Sequence, residues 1–133
     1  MFELKQVGSV RSAITDIQDA PRQESEGAPE AWIEIEPEYV EALDGLEIGV
    51  EILVLTWLHE ADRSRLKVHP RGNPANPMRG VFTTRSPHRP NPIGLHRTRV
   101  TAIDPPCRFQ VQRLEAIDKT PVMDIKSVLS GNR

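Results

Sequence analysis

The sequence predicts a mainly β protein: a single small antiparallel β-barrel with one short helix and long Pro-rich loops. Three observations predict it. Short apolar runs alternate with polar residues or are rich in β-branched ones, proline-rich turns separate those runs, and only one brief segment suits a helix.

Leu4 to Val10 alternates well enough for a first strand, and Ala31 to Ile35 repeats the pattern around Trp32. Between them, Asp16 to Pro29 carries Pro21, Gly27 and Pro29 among polar residues, which predicts an exposed loop. Pro37 followed by Glu38, Tyr39, Val40, Glu41, Ala42 and Leu43 puts a proline and acids in a first helical turn, and Asp44-Gly45 supplies the stop. Val50 to Leu58 is aliphatic and β-branched throughout. That pattern predicts a central strand buried on both faces, delivering Trp57, His59 and Glu60 to its end.

Pro70, Pro74, Pro77, Pro87, Pro90 and Pro92 then fix the backbone so often that only a short strand fits, at Gly80 to Thr84. His96 to Asp104 and Arg108 to Leu114 alternate on either side of Pro105-Pro106, the pattern of an antiparallel pair with one wet face. Val122 to Ile125 is the last short strand.

A length of 133 residues suits one domain, so residues 1–133 are expected to form a single domain without a C-terminal extension domain. No apolar run approaches the length of a membrane span and no signal-peptide pattern opens the chain, which predicts a soluble, cytoplasmic protein with no membrane partner. Cys107 is the only cysteine, which excludes an internal disulfide and any zinc site built on paired cysteines; no metal is expected.

The formal net charge of -2 hides a division along the chain. Residues 1–62 hold 15 Asp and Glu against 3 Lys and Arg. From Arg63 to Arg99 there are 9 Lys and Arg and 3 of the 4 histidines, and no acid. Arg63, Arg65, Lys67, Arg71, Arg79, Arg89, Arg97 and Arg99 are therefore candidate phosphate contacts.

The chain contains no G-x-x-x-x-G-K-[ST] phosphate loop, no G-x-G-x-x-G turn, no H-E-x-x-H and no G-x-S-x-G, so ordinary nucleotide, zinc-protease and esterase chemistry is set aside. The most unusual stretch is Gly80-Val-Phe-Thr-Thr-Arg-Ser-Pro-His-Arg-Pro-Asn-Pro-Ile-Gly-Leu95. A loop stiffened in this way loses little entropy when it binds. Read without context, its arginines also suit an ordinary solvated turn. The Asp118-Lys119-Thr120-Pro121 turn and the His59-Glu60 pair after the central strand are equally ambiguous alone.

Taken in order, these segments resemble the tRNA N6-threonylcarbamoyladenosine methyltransferase family of TsaA/TrmO-like β-barrel proteins. The hallmark is residues 80–95. Pro21-Arg22-Gln23, Glu41 to Leu46, Trp57-Leu58-His59 and Leu114 to Lys126 extend the resemblance over nearly the whole chain. It departs at Lys119, where the family has glycine, and at Val50-Glu51 and Ser127.

The resemblance implies a β-barrel methyltransferase that binds S-adenosylmethionine near the interface of a homodimer and methylates N6 of N6-threonylcarbamoyladenosine at position 37 of tRNA. The cofactor contacts it implies are Pro21, Arg22, Gln23, His59, Glu60, Arg85, Leu95, Asp118, Lys119, Thr120 and Pro121. Arg85 and Asn91 would be held in one geometry by the prolines around them. His59 and Asp118 are its candidate catalytic residues, because the carbamoylated nitrogen is a weak nucleophile that a proton acceptor or polarising donor would help. Two alternatives stay open: a methyltransferase of the same fold acting on a small molecule, and a non-catalytic RNA-binding module using the basic surface.

Overall fold

The structure, a computed structural model, describes residues 1–13 and 30–129. Six antiparallel strands close into a ring in the order β1 (Gly8–Arg11), β2 (Ala31–Ile35), β7 (Arg108–Val111), β6 (Ile93–Asp104), β3 (Glu51–Trp57) and β8 (Pro121–Ser127), which pairs back to β1. A separate two-stranded hairpin, β4 (Lys67–Val68) with β5 (Arg79–Gly80), stands in the Pro-rich middle.

Alternation builds the interior. Val10, Ile33, Val54, Val100, Phe109, Val111 and Val122 are fully buried, joined by Leu114 from the segment after β7. Each such side chain contributes about 1.5–3 kcal/mol of burial. Among the described residues no helix is long and apolar enough to cross a membrane.

The Ala31 to Ile35 strand forms over those residues. The first strand is shorter than the alternation suggests and begins at Gly8. A Cβ at Gly8 would run into the Glu34 carbonyl, so the ring closes there through the one residue that admits the approach. The Pro37–Leu43 helix is 3-10, with Pro at its start and Asp44 N–H donating to Glu41 O at 3.2 Å.

The central strand, Glu51–Trp57, is not buried on both faces. Ile52, Val54 and Thr56 point inward, whereas Leu53, Leu55 and Trp57 are only partly covered on the outside. A closed ring has a single interior, so an aliphatic run here lines the core with one face and leaves an apolar outer face with the other.

The expected strand at Gly80 to Thr84 ends after Gly80. Thr83 and Thr84 hydroxyls donate to Gly80 O (2.7 Å) and Val81 O (3.0 Å), which draws Val81–Thr83 into a 3-10 turn. β6 starts earlier than its alternation suggests, at Ile93, and is irregular between Val100 and Ala102. β7 stops at Val111, shortly before Arg113 takes a positive φ of 35°.

Candidate functional site

An antiparallel ring sends alternate connections to opposite ends. The β1–β2, β3–β6 and β7–β8 connections leave by one end, and the β2–β3 and β6–β7 connections by the other. His59 and Glu60 follow β3, Arg85 precedes β6, Leu95 is the third residue of β6, and Asp118, Lys119, Thr120 and Pro121 lead into β8. All of these candidates therefore gather at the same end. Pro21, Arg22 and Gln23 lie outside the described residues.

At this end the ring is open on one side. β7 accompanies β6 only from Val100 onward, so residues 93–98 pair with β3 alone. Val100 N–H donates to Val50 O and Gly49 N–H to Val100 O, which turns the even-numbered amides of β6 toward β3 and the odd-numbered ones away. Arg85 Nη2 donates to Leu95 O at 2.9 Å, on the side facing away from β3. Arg85 and Leu95 are thus brought together at the edge of the ring.

The Pro-rich loop fastens itself and its neighbour. Arg89 Nη1 donates to Ser86 O (2.9 Å) and Thr84 O (3.3 Å), and Ser86 Oγ accepts from His88 N–H at 3.1 Å. Arg63 Nε donates to Pro90 O (2.8 Å) and Nη2 to Asn91 Oδ1 (3.5 Å), with its guanidinium 5.0 Å from the Trp57 ring centre. Asp62 N–H donates to His88 Nδ1 at 2.9 Å. These bonds tie residues 58–66 to residues 84–92 as one layer.

His88 must be neutral to accept the Asp62 amide. Burial lowers its pKa from the ordinary 6.5, and nearby Arg65 lowers it further, while Asp62 opposes both. Above pH 6.5 both folded and unfolded chains hold a neutral imidazole. As pH falls through that value the unfolded chain takes the proton first, and stability declines. Thermal melts should therefore show a loss below pH 6.5 that a His88→Asn variant, which keeps an acceptor but no titration, lacks.

The third loop is anchored across the chain. Asp118 Oδ1 accepts from Ser12 N–H at 3.0 Å, Lys119 N–H donates to Val10 O at 2.7 Å, and Thr120 Oγ1 donates to Ile117 O at 2.7 Å. Lys119 has a φ of 71°, the left-handed region that suits glycine. Its side chain is exposed, so Lys119→Gly should stabilise the fold by about 0.5 kcal/mol, read as a higher melting temperature. His59 Nε2 lies 3.8 Å from Glu60 Oε2, both at the surface.

The basic residues divide by what they hold. Arg63 and Arg89 hold loop carbonyls, Arg65 pairs with Asp62 at 3.2 Å, and Arg97 and Arg99 flank Glu51 at 2.9 and 3.7 Å. The Arg97 hydrogen bond is the main reason that Glu51 keeps a pKa below the ordinary carboxylate value. Lys67 and Arg79 lie on the β4–β5 hairpin, and Arg71 sits in its connection with a φ of 59°. Among the described residues no three His, Cys, Asp or Glu side chains are grouped to hold a metal ion.

Two clefts flank the ring. One of about 200 Å³, lined by Leu4, Lys5, Gln6, Trp57, Pro121 and Met123, runs along the outside of β3 and β8, with Trp57 and Pro121 at the loop end described above. A larger one of about 350 Å³ lies between the 3-10 helix and the β6–β7 turn, at the far end, and none of the candidates lines it. Trp57 and His88 are not among the contacts that the sequence predicts, and Asn91 is expected only to be held in place by its prolines. Their signal in the sequence was position alone, Trp57 closing an apolar strand and the other two lying inside the hallmark loop.

The family model of the tRNA-methyltransferase O N-terminal domain matches residues 9–131. A probable S-adenosyl-L-methionine-binding protein of Methanothermobacter thermautotrophicus is 46% identical over 125 residues, covering 94% of this chain and 88% of that protein. An S-adenosyl-L-methionine-binding protein of Archaeoglobus fulgidus is 42% identical over 123 residues, covering 92% and 86%. The crystal structure of TrmO from Pseudomonas aeruginosa superposes with a TM-score of 0.76 at 31% identity, covering 97% of this chain. The chain spans 56% of that solved relative's length.

Proposed function

The chain belongs to the tRNA-methyltransferase O N-terminal domain family, and from that membership we propose that it is an S-adenosylmethionine-dependent tRNA methyltransferase acting on N6 of N6-threonylcarbamoyladenosine at position 37. The observation that carries the reading is the convergence of His59, Glu60, Arg85, Leu95 and the Asp118–Pro121 turn at one end of the ring, beside a strand edge that β7 does not cover.

The residues there fit the cofactor's chemistry. Carboxylates of Glu60 and Asp118 suit a cationic sulfonium, an ammonium group or ribose hydroxyls; the Arg85 guanidinium suits a carboxylate; and the odd-numbered amides of β6 around Leu95 suit the edge of an adenine. Bound S-adenosylmethionine supplies an already activated methyl group. The chain's share is positioning, and the fastened layer of residues 58–66 and 84–92 provides a rigid wall for it.

The acceptor nitrogen is weak because its lone pair is delocalised into the urea-like carbonyl. His59 and Asp118, on different loops of the same end, are the groups proposed to take its proton or polarise that carbonyl. Arg63, Arg65, Lys67, Arg71, Arg79, Arg89, Arg97 and Arg99 stay the proposed phosphate contacts, with Lys67 and Arg79 on the β4–β5 hairpin and Arg71 in its connection. With tRNA as the substrate, the proposed place of this work is the cytoplasm.

A homodimer would use the outer face of β3 and β6. Leu53, Leu55, Ile93 and Leu95 form an apolar stripe there, with Ile93 41% and Leu95 45% exposed, bordered by Glu51, Arg97 and Arg99. Leu95 would join that interface to the cofactor site. Sedimentation of the full chain tests it, and a monomer at micromolar concentration removes it.

The function itself is tested by incubating the chain and S-adenosylmethionine with tRNA that carries unmethylated threonylcarbamoyladenosine, then analysing nucleosides by mass spectrometry. The expected result is a methyl group on the modified adenosine. A tRNA left unchanged by a chain that binds the cofactor would favour a small-molecule acceptor.

A further inference from the structure

We propose that Trp57 is the stacking platform for the acceptor adenine of the RNA, which lies in the cleft lined by Leu4, Lys5, Gln6, Trp57, Pro121 and Met123. The proposal rests on the RNA reading above and adds to it the surface that holds the reacting base.

Sequence-tolerant recognition of an unstacked base needs a flat, fixed aromatic surface in a concave site. Phe109 is fully buried in the core, and Tyr39 packs beside the core on the 3-10 helix, toward the far end. Trp32 lies on β2 under the Arg108 guanidinium at 4.6 Å. Phe2 and Phe82 are 88% and 79% exposed, on segments outside the strands. Among the described residues, Trp57 alone combines an aromatic ring, a cleft and the loop end of the ring.

Its ring is held in advance. Trp57 is the last residue of β3, in register with Ile93, and Arg63 lies over it at 5.0 Å while bonding Pro90 O. Such a platform costs little entropy on binding. Pro121 completes the cleft and directly follows Asp118-Lys119-Thr120, so a base stacked on Trp57 sits beside the turn proposed to hold the cofactor and accept the proton. Lys5 in the wall offers a cation to the adjoining phosphate, and Gln6, whose Nε2 donates to Gly8 O at 3.0 Å, offers its amide oxygen to the base edge.

Adenine could also come from the cofactor, and the test separates the two sources. The full chain carrying Trp32→Phe leaves Trp57 as the only indole, and its fluorescence is titrated with S-adenosylmethionine, with a single-stranded oligoribonucleotide containing one central adenosine, and with the same oligomer abasic at that position. Quenching by the adenosine oligomer and not by the abasic one is expected. In calorimetry, Trp57→Leu should weaken the adenosine oligomer about 10-fold or more and leave S-adenosylmethionine within about two-fold, with Trp57→Phe retaining most of the affinity.

Unchanged oligomer affinity in a folded Trp57→Leu variant, or equal quenching by both oligomers, overturns the platform while leaving RNA binding intact. Loss of cofactor binding in that variant instead gives the cleft to the cofactor's own adenine and overturns the proposal too. Absence of RNA binding by the parent chain overturns the function reading along with it.

Discussion

Replacing Arg85 with alanine is expected to weaken S-adenosylmethionine binding by about 10- to 100-fold, the worth of a charge-assisted hydrogen bond. Two losses combine. The guanidinium that suits the cofactor's carboxylate disappears, and Leu95 O loses the donor that ties the Pro-rich loop to the β6 edge. Arg85→Lys keeps the charge without the planar fork and should recover only part of the affinity. Calorimetry on folded variants checks both, and an unchanged affinity for Arg85→Ala would remove Arg85 from the site.

Gly94→Ala is expected to destabilise the fold by about 2 kcal/mol, read as a melting temperature lower by several degrees. A Cβ there would lie 2.8 Å from His96 Nε2 and 3.2 Å from Leu58 Cδ2, and would press on Thr56 Oγ1. Thr56 and His96 are buried and hydrogen-bonded to each other at 2.9 Å, so neither side chain can swing aside freely. Thr56→Ala in the same chain removes the nearest obstacle. The double variant should therefore lose less than the sum of the two single losses.

Where these strands lie could be read from alternation, because a ring has one inside and one outside and the side chains of Ala31–Ile35 and of residues 93–100 obey it. Glu51–Trp57 misled for the same reason. An aliphatic run looks alike whether a second sheet, a partner or nothing covers its outer face. The start at Gly8, the 3-10 turn at Val81–Thr83 and the β4–β5 hairpin depend on contacts between residues far apart in the chain, or on hydroxyls competing for carbonyls, and periodicity carries neither.

For the site, the sequence named loops that the fold gathers at one end of the ring, and not the partnerships within them. The acid-free basic block from Arg63 to Arg99 looked like one phosphate-binding surface. In the fold, Arg63 and Arg89 hold loop carbonyls and Arg97 pairs with Glu51, from the acidic half of the chain. Lys119 shows the opposite case. Its departure from the family's glycine could be seen in the sequence, and its φ of 71° supplies the backbone reason for that glycine.

The central claim is that the loop end of the ring, beside the uncovered β6 edge, holds the cofactor. A crystal structure of the chain with S-adenosylhomocysteine tests it most directly. The account predicts the nucleoside within hydrogen-bond reach of the Leu95 backbone, with Arg85 and the Asp118–Pro121 turn around it. A nucleoside seated instead in the larger cleft beside Leu43, Pro105 and Phe109, at the far end, would contradict it.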